Sequence, residues 1–151
     1  MQAWNMTIND LLSLDLSETV SVFNQPFTYI GRSEVTLDDD SKVIWMYSED
    51  DEMLSVSPDD EELVLFEQLE DELEPDETIF FRGKEYEFNY ENAGKISAID
   101  GETETEVDDR YLFTEYQSLE GERLRLISNE NTGESITYLG RIVSEDDLAE
   151  L

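Results

Sequence analysis

The stretches Thr19 to Tyr29 (TVSVFNQPFTY) and Thr78 to Phe88 (TIFFRGKEYEF) decide how the rest of the chain is read. Each alternates apolar with polar side chains, breaks at a short turn, and resumes, as a hairpin with one buried face does. In the first the turn is read at Asn24-Gln25-Pro26, with the returning strand Phe27 to Ile30 ending at Gly31. The two stretches align without a gap: Val20 with Ile79, Val22 with Phe81, Asn24 with Gly83, Phe27 with Tyr86, and Tyr29 with Phe88. Further on, Tyr47 matches Tyr116, Leu54 matches Leu124, Val56 matches Leu126 and Leu65 matches Tyr138. The offset grows because the second copy has the longer middle loop, Asp100 to Asp109. The expected fold is therefore mainly β: two similar antiparallel β-units from an internal duplication, with short N- and C-terminal helices. The units either pack their apolar faces together or form one continuous sheet. Chance similarity among alternating strands is the competing reading.

Around these hairpins the chain divides into five segments. Residues 1–18 form a helical segment in which Thr7 is the N-cap, Asp10 the capping-box acid, and Ile8, Leu11, Leu12 and Leu14 the apolar positions. The first β-unit, 19–69, continues with Val43 to Tyr47, Met53 to Ser57, and Leu63 to Phe66 extending to Leu69. Residues 70–77 are an acidic linker broken by Pro75. The second β-unit, 78–143, adds Asn92 to Ile99 with a bend at Gly94, then Tyr111 to Tyr116, Arg123 to Ile127 and Ser135 to Leu139. Residues 144–151 read as a helical tail, with Glu145, Asp146 and Asp147 at its positive end.

The charge limits the partners. The 151 residues carry 40 Asp and Glu against 9 Lys and Arg, a net charge of −31. A folded chain of this mass exposes about 7,900 Å², or one net charge per roughly 250 Å², against about 110 Å² for DNA. Direct binding to nucleic acid is disfavoured and a basic protein partner is favoured. No apolar run approaches the roughly 18 residues of a membrane helix, so no membrane insertion is expected. Residues 1–16 lack a basic and an apolar signal region, and the chain has no cysteine, so the cytoplasm is the expected location. Oligomeric state is not readable from these features.

With no histidine and no cysteine, histidine- or cysteine-based triads and conventional zinc sites are excluded. No phosphate-cradling glycine loop is present. No catalytic, cofactor-binding or metal residue is assigned, no cofactor is expected, and the protein is read as non-enzymatic. The acidic clusters Asp38 to Asp40, Glu49 to Glu52, Asp59 to Glu62 and Asp100 to Asp109 do not follow the calcium-loop rule and read as solvated turns. Trp45, Tyr47, Tyr86, Phe88, Tyr111, Phe113, Tyr116 and Tyr138 have strand spacing and read as core, with a stacking platform as the alternative. Trp4 either covers the core edge or is a docking anchor.

The order of motifs resembles a bacterial family, domain of unknown function number four-one-seven-eight. The likeness rests on Leu-Xaa-Leu before Thr19-Val-Ser-Val, Tyr29-Ile-Gly31, Trp45-Met-Tyr47 before an acidic turn, and Leu54-Ser-Val56. Gly83-Lys-Glu-Tyr86, Ala93-Gly94, Tyr116 before a polar turn, and Leu124 leading to Ser128-Asn-Glu130 carry it through the second half. Met46 stands where the family commonly has an acid. The resemblance implies a β domain without a catalytic motif and, from the genes that neighbour its relatives, an accessory role. The expected function is a protein-interaction module recruiting a basic partner. The alternatives are a DNA mimic that inhibits a nucleic-acid-binding protein, or a salt-adapted surface without partner information.

Overall fold

The computed structural model describes residues 7–59, 61–103 and 105–150. Trp4, whose role was left open above, lies outside them. Helix α1 (Ile8–Leu12) begins with the expected capping box: the Thr7 hydroxyl accepts from the Asp10 amide at 3.1 Å, and the Asp10 carboxylate accepts from the Thr7 amide at 3.0 Å. Eleven strands follow, in chain order β1 (Thr19–Val22), β2 (Gln25–Leu37), β3 (Lys42–Ser48), β4 (Glu52–Ser57), β5 (Glu62–Leu69), β6 (Thr78–Phe81), β7 (Lys84–Gly101), β8 (Arg110–Ser118), β9 (Glu122–Asn129), β10 (Ser135–Ile142) and β11 (Leu148–Glu150). The two diagnostic hairpins turn at Phe23-Asn24 and Arg82-Gly83, where all four residues have positive φ. That is the two-residue turn whose twist matches the strands it joins.

Eight strands close into an antiparallel barrel in the order β2-β3-β4-β5-β10-β9-β8-β7, with β7 returning to β2. The seams are β5 on β10, Val64 to Leu69 against Ile142 to Thr137, and β2 on β7, Gly31 to Leu37 against Gly101 to Gly94. At the start of the second seam Gly31 is obligatory. A Cβ there would lie 2.0 Å from the Glu102 carbonyl oxygen, and backbone cannot yield that space.

Three packed clusters follow from this closure. The barrel interior holds Val35, Trp45, Tyr47, Met53, Val64, Phe66, Ile96, Tyr111, Phe113, Ile127 and Tyr138, with Trp45 edge-on to Tyr111 and Phe113. Outside β3–β5, the β1–β2 hairpin, α1 and β11 bury Leu11, Val20, Val22, Phe27, Met46, Leu54, Val56 and Leu148. Outside β8–β10, the β6–β7 hairpin buries Ile79, Phe81, Tyr86, Tyr116, Leu124 and Leu126. Strands β4 and β9 are consequently buried on both faces, which is why they show continuous burial and not alternation.

The interior also contains charge. Arg125 Nε donates to Glu115 at 2.6 Å and its NH1 donates to Ser55 Oγ at 2.8 Å, while the guanidinium stacks on Phe66 and Phe113. Arg123 reaches the other Glu115 oxygen at 3.3 Å. Burial works against the Arg125 charge, but Glu115 foremost among its neighbours outweighs this and holds the guanidinium above its ordinary pKa.

Several expectations need correction. The C-terminal tail is not a helix: Glu145–Asp147 makes a single 3-10 turn, and Leu148–Glu150 then pairs with β1. The buried Leu148 side chain packs beside Val20 and Val22, and this contact draws the chain into extended form. Strand β2 does not end at Gly31 but runs on to Leu37, and its hairpin turn lies at Phe23-Asn24. The expected strands at Lys84 to Phe88 and Asn92 to Ile99 are one bulged strand, β7. Two of the proposed matches join residues on opposite faces: Tyr47 and Tyr138 pack in the barrel interior, whereas Tyr116 and Leu65 pack in the outer clusters.

Candidate functional site

Two places combine exposed chemistry with a defined shape. The first is the outer face of the β6–β7 hairpin. Among the described residues strand β6 ends the sheet with β7 as its one neighbour; the other end is β11, a three-residue strand laid on β1. In the β6–β7 ladder Phe81 pairs with Lys84 and Ile79 with Tyr86, and antiparallel alternation turns the N–H and C=O of Phe80 toward the open edge. The Phe80 side chain is 76% exposed, and Glu85 and Glu87 stand opposite Phe80 and Thr78. Phe88, read as core, is half-exposed and edge-on to Tyr116, and Leu119 beside it is fully exposed.

The second place is the mouth of the barrel where the β3–β4, β7–β8 and β9–β10 connections meet. A cavity of about 260 Å³ opens there, with Trp45, Tyr47, Met53, Tyr111, Ile127 and Tyr138 in its wall. The β7–β8 loop dips into the mouth: buried Thr105 hydrogen-bonds Ser33 across the barrel at 2.5 Å. Asn129 donates to Asp109 at 3.0 Å and to the Tyr111 hydroxyl at 3.2 Å, fixing both at the rim. Burial, then the charges of Asp109 and its neighbours, push the Tyr111 hydroxyl pKa upward. A second hollow of about 350 Å³ shares Tyr47 and Tyr138 with the first.

The acidic clusters sit at strand connections, as expected of solvated turns, with Asp60 and Glu104 outside the described residues. At the mouth they are crowded. Glu52 is raised above the usual carboxylate range by burial first, then by Asp50 and Glu67. Elsewhere the basic residues answer them. Arg110 grips Asp38 with two bonds of 2.8 and 2.6 Å and also holds Glu130, Lys42 pairs with Glu34, and Lys95 with Asp108. Lys84 binds Glu120 and Glu122. Arg32, Arg82 and Arg141 lie over Tyr29, Phe81 and Phe23. Together with Arg123 and Arg125, all nine basic side chains are committed within the chain.

Among the described residues no group of three or more acidic side chains is placed to hold a metal ion, and no helix is long and apolar enough to cross a membrane. Seven of the eight singled-out aromatics pack in clusters, Phe88 being the exception. Sequence reasoning listed the mouth residues but did not join them, since they come from five strands. No protein-family model, curated protein or solved structure matched this chain.

Proposed function

We propose that this protein is a non-enzymatic interaction module that recruits a basic protein segment, which docks as an added strand on the open edge of β6. The observation that carries the reading is the coincidence on one hairpin of an unpaired strand edge, a 76% exposed Phe80, and the carboxylates Glu85 and Glu87. Main-chain bonds to an edge supply affinity, and alternate side chains supply selectivity. Because the protein's own cations are already engaged, the charge that complements this face has to come from a partner. The surface of 8573 Å² carries one net charge per about 280 Å², less than half the density of DNA, and the acids gather at turns. That distribution favours a basic segment over the two continuous carboxylate rows a DNA mimic needs.

A duplication accounts for the second free edge. Val20, Val22 and Phe27 occupy in one outer cluster the places that Ile79, Phe81 and Tyr86 occupy in the other, as do Leu54 and Val56 with Leu124 and Leu126. If both halves descend from one unit, β11 is an addition that covers the edge of β1, while β6 has no such cover among the described residues.

The test is titration with a synthetic peptide alternating lysine and valine, followed by amide NMR. Shifts centred on residues 78–81, weakening with salt and by about tenfold in Glu85→Lys/Glu87→Lys, are expected. Shifts scattered over the surface, or binding indifferent to the charge reversal, would reject the β6 edge as the docking site.

A further inference from the structure

We infer that the barrel mouth is a binding site for a small organic cation, an ammonium group carried on a compact apolar body. The argument is independent of β6, which lies on the outside of the barrel.

The cavity of about 260 Å³ is enclosed by strand side chains and lies just under the roughly 300 Å³ at which ligand pockets commonly begin. An eight-stranded barrel has an interior that side chains fill or that holds one small ligand. Here Arg125 and Glu115 bond toward one end, where a hollow of about 170 Å³ carries both Lys42 and Arg125 in its lining, and the larger hollow at the other end has no cation. The hollow end is walled by the rings of Trp45, Tyr47, Tyr111 and Tyr138, and Glu106, Asp109 and Glu134 line its rim with no lysine or arginine among the lining residues. The adjoining hollow adds Glu49, Asp51, Glu52 and Glu102, again without a cation. Aromatic rings below and carboxylates above suit an ammonium ion twice over, through contact with the rings and through charge. An anion would be repelled, and a neutral apolar molecule would gain nothing from the rim.

Trp45, 1% exposed, belongs to this wall and gives the site its own indole reporter.

Acetylcholine has this chemistry, and its uncharged carbon isostere 3,3-dimethylbutyl acetate has the same shape. Both are titrated into the full chain by calorimetry and by ¹⁵N NMR of the Trp45 indole, assigned with Trp4→Phe. The expected result is a Trp45 shift with acetylcholine, at least about tenfold weaker binding of the isostere, and about tenfold weaker acetylcholine binding in Glu106→Gln/Glu134→Gln. Both glutamates are exposed, so this variant keeps the fold. Equal affinity for the isostere, no effect of the double variant, or an indole resonance unmoved up to about 10 mM would overturn the proposal and leave water as the occupant.

Discussion

At the scale of single residues, the most consequential side chain is Glu115, fully buried between two arginines on the inner wall of the barrel. Desolvating three charges is unfavourable in itself, and the arrangement persists because each oxygen of the carboxylate has a guanidinium partner. Glu115→Gln keeps the shape but leaves Arg123 and Arg125 to share a single carboxylate, the partly buried Glu62, 3.6 Å from Arg123 and without a hydrogen bond to Arg125. The variant is expected to lose about 3 kcal/mol, which for a chain of this length lowers the melting temperature by about 6–12 °C. Calorimetry of the two proteins checks it, and a change under about 1 kcal/mol would mean the charges are better solvated than their burial implies. None of this was visible in the sequence, where Glu115, Arg123 and Arg125 are three charged letters in alternating strands. Only their placement on the inner face, beside Phe66 and Phe113, gives them a role.

At the scale of elements, what was legible followed from local chemistry. The alternation and turn residues of 19–29 and 78–88 specify hairpins, and the Thr7–Asp10 pair specifies a helix start. Each depends on contacts between residues a few positions apart. Closure of the barrel depends on β2 meeting β7 and β5 meeting β10, partners 57 to 78 residues apart, and no local signal encodes that. The C-terminal tail shows the same limit. Ser144 with Asp147 forms a capping box, so the helical expectation was locally sound, yet the structure makes one turn and then a strand. The tertiary pull is Leu148, wholly buried against the β1–β2 hairpin. Leu148→Ala is therefore expected to cost about 3 kcal/mol and to release β11. Its signature is specific: the Phe23 amide, which donates to the Asp147 carbonyl, should lose exchange protection while Ile127 in the barrel keeps most of its own. Uniform loss across the molecule would show instead that β11 unfolds only with the whole.

At the scale of the whole molecule, stability is governed by like charges that the fold brings together, and the direction with pH follows from individual groups. Glu52 has its pKa raised by burial, then by Asp50 and Glu67, so the folded state binds its proton more tightly than the unfolded chain does. For an acid shifted this way, stability falls as pH climbs from the unfolded value toward the folded one, and the penalty is complete above it. Asp38, held low by the hydrogen bonds of Arg110, works in the opposite sense: its contribution is present above the ordinary carboxylate range and is lost as pH falls through its lowered value. Glu120, held low by Lys84, behaves alike. The two trends bracket a maximum within the carboxylate range, with decline toward pH 3 from lost ion pairs and, above that range, a level stretch to pH 8, since the chain has no histidine or cysteine to titrate there. Salt discriminates the two limbs. At about 1 M the screening length is near 3 Å, shorter than the spacing between most surface carboxylates. Added sodium chloride should raise the melting temperature at pH 8 far more than at pH 4, close to the isoelectric point of about 4.1, and Glu52→Gln should raise it at pH 8 while changing little at pH 4. Melting curves at three pH values and two salt concentrations decide it. A salt effect equal at pH 4 and pH 8 would show that screening acts on something other than the carboxylates, and the crowded mouth would then be no more strained than the rest of the surface.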